Sequence, residues 1–417
     1  MEIRRDRYLE TLISKKHNRL IKVITGIRRC GKSYLLFKLF RDHLASAKVP
    51  DDHVIEMAFD AYENTAYRDP KLFFPYLKSR INDEGMHYVL LDEVQLLGEF
   101  EAVLNSLARM QNVDVYVTGS NARFLSKDII TEFRGRGDEV HMHPLTFAEF
   151  MSVYPGDRDS GWKEYVLYGG IPLVLQFATS DQKADFLRNL FEETYISDIV
   201  GRHHVRNKSE LAELLNIISS AIGSLTNPNK LSLTFKSVKN KTISPNTIRT
   251  YIEYFEDSFL IDSAFRYDVK GKKYINTPLK YYFTDLGLRN ARLNFRQVEE
   301  THAMENIIFN ELKVRGYNVD VGVVTSNEIN KSGKSIRKQL EIDFVCNKAS
   351  KRYYVQSALR LSDESKRERE QRSLLMVPDA FKKVIITKDA PAHLYNEDGI
   401  LVMSIFDFLL DEDSLER

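Results

Sequence analysis

Along the first half of the chain, short continuous apolar runs alternate with stretches in which apolar residues recur every three or four positions. Leu20-Ile21-Lys22-Val23-Ile24, Val54 to Phe59, His87 to Leu91 and Val113 to Val117 are runs of strand length. Residues with apolar neighbours on both sides of a sheet read this way, as in a parallel sheet covered on both faces. Between them, Leu35, Leu36 and Leu39 carry helical spacing after Ser33, as do Pro70 to Ile81 and Phe100 to Met110. Leu9, Leu12 and Ile13 predict a further helix in the basic, amphipathic first twenty residues, packed beside the first strand. Proline at an early position opens the helix at Pro70. Strands alternating with helices predict an α/β fold on a parallel sheet.

Beyond about residue 205 the pattern changes. Ser209 to Ile222 is apolar on one face and is broken at Asn227-Pro228-Asn229, and Ser244-Pro245 opens a helix through Tyr254 and Phe255. Phe259 to Tyr267 then reads as a strand. Helices followed by a strand hairpin are the order of a winged helix-turn-helix, and Lys236, Lys239, Lys241 and Arg249 bring basic charge to the expected recognition helix. A helical packing domain with a solvated basic turn is the other reading.

The connection after the first strand changes the picture most. Gly26-Ile27-Arg28-Arg29-Cys30-Gly31-Lys32-Ser33 has the spacing G-x-x-x-x-G-K-[ST]. A loop between strand and helix turns its backbone N–H groups inward around phosphates, lysine reaches the β/γ oxygens, and serine offers a hydroxyl to Mg²⁺. Gly26, Arg28, Arg29, Gly31, Lys32, Ser33 and Tyr34 are therefore the expected nucleotide-binding residues, for ATP with Mg²⁺. The run at His87 ends in Asp92 and Glu93, at the edge where a parallel strand delivers acids. Asp92 would hold Mg²⁺ with Ser33, and Glu93 would polarise the attacking water. Ser120 or Asn121, at the end of the next strand, would contact the γ-phosphate or that water. Arg134 and Arg136, in FRGRGDEV, are candidates for an arginine that stabilises charge on the transferring phosphoryl group, and solvated loop arginines are the alternative. His141-Met142-His143 lacks a third ligand nearby and reads as strand residues facing one side.

Composition adds boundaries. With 417 residues the chain has room for two or three domains, and Lys+Arg 60 against Asp+Glu 59 leaves a formal net charge of +1. No whole-chain electrostatic argument points to nucleic acid or membrane, so any basic surface must be local. Two cysteines, Cys30 and Cys346, form neither a disulfide framework nor a metal cluster of usual spacing. A charged start and the lack of a membrane-length apolar run lead to the expectation of a soluble, cytoplasmic protein.

TGIRRCGKSYLL, VLLDEVQ, VTGSN and FRGRGDEVHMHPLTFAEF, with YGGIP, YISDIV, YYFTDLGLRN, ENIIFNEL and EIDFV further on, resemble the bacterial and archaeal AAA-type P-loop ATPases whose C-terminal half is the DUF4143 domain. The resemblance implies nucleotide-binding roles for Lys32 and Ser33, metal binding by Asp92, water activation by Glu93 and a sensing role for Asn121. The final third is similar to restriction-endonuclease-like nucleases, with Glu305 on a helix, Asp343 on a strand, and Gln356-Ser357-Ala358 where those enzymes carry Glu-x-Lys. Lysine there would stabilise the attacking hydroxide, so its loss implies a fold kept for binding and no nuclease activity.

The expected architecture is an AAA/ASCE-type P-loop ATPase core over 1–150, a helical extension over 151–204, a winged-helix-like module over 205–290 and a nuclease-like domain over 291–417. Two functions are compatible with it. ATP hydrolysis could be coupled to DNA or nucleic-acid association, with a homo-oligomer if an arginine acts across an interface, or ATP could switch a protein–protein regulatory assembly without DNA.

Overall fold

The apolar runs flanking the glycine-rich loop are strands of one five-stranded sheet. The computed structural model describes residues 2–119, 137–239, 242–296, 298–329, 335–361, 363–390 and 393–416. The chain divides into two compact units, one of Met1–Leu145 with Asp257–Phe259, the other of Thr146–Glu256 with Leu260–Arg417.

In the first unit, α1 (Asp6–Ser14) precedes β1 (Ile21–Thr25), and α2 follows as one continuous helix over residues 32–46 whose middle turn, Leu35–Phe40, is π-wound. Next come β2 (Val54–Ala58), α3 (Pro70–Arg80), β3 (His87–Asp92), α4 (Phe100–Leu107), β4 (Val113–Thr118) and β5 (Gly137–His141). The expected boundary at Pro70 has a specific cause. Asp69 accepts the Lys71 N–H at 2.9 Å while proline occupies the first turn, where its missing N–H costs nothing.

The strand order is β2-β3-β4-β1-β5, and every pairing is parallel. β4 therefore separates the strand that carries the loop from the strand that ends in Asp92. Val117 is level with Val23 on one side and Leu91 on the other, so Ile24, Thr118 and Asp92 come level at the C-terminal edge. All residues of β1, β3 and β4 are buried. Phe73 and Leu77 of α3 pack on the sheet with Phe100, Leu104 and Leu107 of α4, forming the core of this unit. The buried runs also hide an ion pair: the Lys22 ammonium on β1 meets Asp114 on β4, whose other oxygen accepts the Tyr116 hydroxyl at 2.7 Å. Burial pulls the Lys22 pKa down against the support of Asp114.

In the second unit, helices Lys208–Ser220, Pro228–Lys239 and Pro245–Asp257 lead to a hairpin of β6 (Ile261–Asp268) and β7 (Lys273–Phe283). Ser244 caps the helix at Pro245 through the Thr247 N–H at 3.1 Å. The hairpin joins β8 (Asn318–Ile329), β9 (Ser335–Lys348), β10 (Lys351–Ala358), β11 (Lys382–Thr387), β12 (Leu394–Tyr395) and β13 (Leu401–Ser404) in a mixed eight-stranded sheet, ordered β12-β13-β11-β10-β9-β8-β6-β7. The strands expected to form a wing thus share a sheet with Asp343. Helix Glu364–Leu375 is capped by Asp363, is exposed over most of SKREREQR, and buries Leu374 against Ile342, Val345 and Ile385.

YGGIP and TDLGLRN meet inside this unit. The Asp285 carboxylate accepts the Gly170 N–H at 2.7 Å and the Leu288 N–H at 3.0 Å, capping helix Leu286–Arg292. A Cβ on Gly169, where φ is +72°, would lie 2.3 Å from the Asp285 carboxylate, and one on Gly287 would lie 2.0 Å from the Tyr168 carbonyl oxygen. Burial raises the Asp285 pKa to about 6 against those N–H contacts.

Candidate functional site

The loop after β1 is shaped by three residues in left-handed or otherwise positive φ: Gly26 at 136°, Arg29 at 65° and Gly31 at 103°. Alternation of right- and left-handed residues turns successive N–H groups toward one concavity, which suits an anion. Gly26 is required twice over, because an added Cβ would sit 2.1 Å from the Met142 carbonyl oxygen just after β5. The Lys32 side chain is 5% exposed, and its ammonium donates to the carbonyls of Gly26 at 3.0 Å and Ile27 at 3.1 Å. Both acceptors are neutral, so the cation is held inside the loop by dipoles. Arg28 and Tyr34 are half-buried, and Arg29 and Ser33 are exposed.

The N-terminal segment, expected only as a helix packed beside the first strand, also supplies a side chain that holds the loop. Arg5, 2% exposed, donates to the Cys30 carbonyl at 3.0 Å and the His143 carbonyl at 2.7 Å, with its guanidinium 4.7 Å from the Tyr8 ring centroid. The Tyr8 hydroxyl in turn accepts the His143 N–H at 3.1 Å. One side chain thus pins the back of the phosphate loop to the strand beside it. The only sequence signal is a basic residue just before an amphipathic helix, which is too common to single out. His141 is a strand residue on β5, where its Nδ1 lies 3.0 Å from the Thr25 hydroxyl.

Across the edge, Asp92 is 4% exposed and accepts from the Thr118 hydroxyl, with the Ser33 hydroxyl near enough to favour its charged form. Burial raises its pKa; the two hydroxyls oppose the shift and the charges of Glu93 and Asp60 add to it. Glu93 follows in the left-handed region at φ 50°, an uncommon conformation for a residue with a side chain. Its N–H donates to the Thr118 hydroxyl at 3.1 Å and its carboxylate accepts from Gln95. The bend turns the chain immediately after Asp92, so that consecutive acids are held by different partners. Ser33 and Asp92, with β2 between them in sequence, are brought close together. A hydroxyl and a carboxylate side by side are a hard-oxygen donor pair of the kind that suits Mg²⁺. Ser120, Asn121, Arg134 and Arg136 lie outside the described residues.

The second unit gathers another set of charged groups. Glu305, on helix Glu300–Val314, and Asp343, on β9, are brought together as the sequence suggests, but so is a cation the sequence reading left out. Lys280 of β7 reaches Glu305 at 2.8 Å, Glu341 at 2.7 Å and Asp343 at 3.7 Å. The expectation that this cluster lacks an ammonium is therefore corrected: it comes from β7, not from the position of Ala358. Lys348 donates to the Arg315 carbonyl and Lys351 pairs with Glu416. Tyr282 donates to Glu305 at 2.7 Å, and the Ser357 N–H donates to Asp343 at 2.8 Å. Gln356 accepts the Asp343 N–H at 3.3 Å and donates to Glu370 at 3.1 Å. Burial, then the neighbouring Glu305 charge, pushes Asp343 up to about 8, with Lys280 opposing. Burial works against the Lys280 charge, but Glu305, Asp343 and Glu341 outweigh it and raise its pKa.

The parallel sheet, the glycine-shaped loop with its buried lysine, and the serine and aspartate that close on each other at the strand edge define an AAA-type P-loop ATPase fold. Residues 18–151 match the AAA domain family, and residues 159–299 match a domain of unknown function, DUF8612, in place of the DUF4143 domain that the motifs suggested. Over 417 residues the chain is 33% identical to an uncharacterized protein of Haemophilus influenzae, covering 98% of each, and it belongs to that protein's family. An uncharacterized protein of Methanocaldococcus jannaschii is 28% identical over 315 residues, 71% of this chain and 67% of that one. Among solved structures, the Walker-type ATPase of Pyrococcus abyssi aligns over 70% of this chain and 96% of its own with a TM-score of 0.51 and 15% identity, a likeness of fold. No helix among the described residues is long and apolar enough to cross a membrane.

Proposed function

We propose that this chain binds ATP with Mg²⁺ and hydrolyses it. The observation that carries the reading is a glycine-shaped loop whose Gly26 and Ile27 carbonyls hold the Lys32 ammonium, with Ser33 close to Asp92. Lys32 would leave those carbonyls for the β/γ-phosphates, where a full negative charge outbids two dipoles. Ser33 and Asp92 would hold the Mg²⁺, whose chemistry is to screen charge on the phosphate oxygens. Glu93 would orient the attacking water, as its bend after Asp92 separates it from the metal ligands, and Asn121 and one of Arg134 and Arg136 would complete the γ-phosphate contacts. The test is ATP turnover by Lys32→Ala, which should fall at least a hundredfold with the fold intact by circular dichroism. Parental turnover in that variant would refute the reading.

We further propose that nucleotide state is coupled to nucleic-acid association through a winged-helix-like module and an endonuclease-like sheet that binds without cutting. Its support is local: Lys236 and Arg249 are exposed on successive helices of the second unit. A protein-only regulatory ATPase is the competing reading, favoured by the net charge of +1. Binding to random duplex DNA separates them, since phosphate contacts give an affinity that falls with salt and a protein-only switch gives no binding to titrate.

A further inference from the structure

At the N-terminal edge of the first sheet, the end remote from the phosphate loop, two histidines come level. Val54 pairs with Tyr88 across β2 and β3, so the residues before them, His53 and His87, are neighbours, and their rings stack at 4.4 Å with a 16° interplanar angle. The turn before β3 returns Asp83 to the same point, with its carboxylate held by the Gly85 N–H at 2.7 Å. His53 Nε2 is 3.0 Å and His87 Nε2 3.9 Å from the carboxylate oxygens, and the three donor atoms lie within 4.8 Å of one another. Donors at 2.0–2.1 Å around a tetrahedral ion sit roughly 3.3 Å apart, a spacing these distances bracket.

Two further observations concern what the histidines offer. His53 Nδ1 lies 3.2 Å from the Met86 carbonyl and His87 Nδ1 2.8 Å from the Gly85 carbonyl. A carbonyl only accepts, so each Nδ1 carries a proton and each ring presents its Nε2 to Asp83, where an arriving metal would take the place of any Nε2 proton, the arrangement that orients metal-ligating imidazoles. His87 is 0% exposed, and its Nε2 has no hydrogen-bond partner, a cost that the native fold would relieve by a ligand there. Gly85 makes room: a Cβ there would lie 2.4 Å from the His53 ring.

We propose that His53, Asp83 and His87 form a site for a divalent transition metal, Zn²⁺ by its donor set, with water in the remaining position. Two imidazoles and one carboxylate suit Zn²⁺ and not Mg²⁺, and the exposed Asp83 leaves a solvent path. The ion would clamp the 83–87 turn to the start of β2. It stands at least one strand length, roughly 16 Å, from the phosphate loop, so its role is to brace the sheet and not to touch nucleotide.

The experiment strips the full chain with chelator and titrates it with Zn²⁺ against a chromophoric chelator, in excess Mg²⁺ so that oxygen donors at Ser33 and Asp92 do not compete. The parent should bind one equivalent. His53→Gln and Asp83→Asn, both at positions outside the core, should each weaken it at least tenfold, as should His87→Gln if it folds. Co²⁺ in place of Zn²⁺ should give a visible ligand-field band in the parent that these variants lose. Equal Zn²⁺ affinity in the parent, His53→Gln and Asp83→Asn, or no stoichiometric binding by the parent, would overturn the site.

Discussion

Replacing Arg5 by methionine keeps much of the aliphatic stem and removes the hydrogen bonds to Cys30 and His143 and the charge. Each bond joins an ionised donor to a buried carbonyl, a class worth about 1.5–3 kcal/mol. The guanidinium over Tyr8 adds about 0.5–2 kcal/mol. Methionine recovers part of the packing, and the Cys30 carbonyl has no open route to water because Cys30 is 0% exposed. The net loss is about 3–5 kcal/mol, which for a unit of this size lowers the midpoint of thermal unfolding by roughly 10 °C. Arg5 does not touch the phosphate position directly, yet it restrains the carbonyl just before Gly31. Freeing one loop residue costs about 1–2 kcal/mol to reorder on binding, roughly a five- to thirtyfold loss of ATP affinity. Differential scanning calorimetry and equilibrium binding of ATP with Mg²⁺ measure the two effects separately. An Arg5→Met protein that melts within about 2 °C of the parent and binds ATP equally well would refute the claim that this side chain fastens the loop.

The remaining expectations are briefer. Glu93→Gln should retain ATP binding and slow single-turnover hydrolysis at least a hundredfold, because the amide orients water but is a poor base; parallel loss of both would make Glu93 a binding residue. Asp343, held at about 8 in the fold against an ordinary carboxylate when unfolded, keeps its proton longer in the native state, so parental stability falls as pH rises from about 4 to 8. Asp343→Asn should flatten that fall in unfolding free energy, measured by urea titration, by up to about 1.4 kcal/mol per pH unit, and identical slopes would remove the premise of a buried protonated acid. Supercoiled plasmid incubated with the protein and Mn²⁺ should stay intact, whereas nicking that vanishes in Asp343→Asn would make this a nuclease.

What the sequence discloses here is what neighbouring residues decide. The loop spacing, the Asp69-Pro70 and Ser244-Pro245 helix starts, and the buried runs of β1, β3 and β4 are local patterns, and each is where it was expected. Small differences sit at element ends: the helix at Phe100 stops at Leu107, and the turn after it is not helical. Hidden from the sequence is whatever depends on which strands lie together. Nothing local says that β4 inserts between β1 and β3, yet that insertion puts Thr118 against Asp92 and Lys22 against Asp114. Lys22 interrupts an apolar run, and it marks a partner on the adjacent strand. His53 and His87 lie far apart in sequence, and only strand register makes them neighbours. The same holds for Lys280, whose three acidic partners come from a helix and a strand that follow it.

Lys280 bears on whether the second unit could do metal chemistry at all. Three carboxylates drawn together repel until a cation arrives, and here the cation is covalently part of the fold. A divalent ion entering between Glu305 and Asp343 would have to displace an ammonium at 2.8 Å and 2.7 Å from two of them, leaving that charge buried and unpaired. Breaking a buried pair in that way costs about 3–5 kcal/mol, which the ion must recover from the same oxygens. Asp92 has the opposite surroundings. Its polar neighbours are the Thr118 and Ser33 hydroxyls and its charged neighbours Glu93 and Asp60 are both acids, so an arriving Mg²⁺ displaces no ammonium and relieves repulsion. These two acid clusters are thereby set apart by one lysine: where the fold supplies its own cation the site is electrostatically closed, and where it does not the site is left open to a cation from outside.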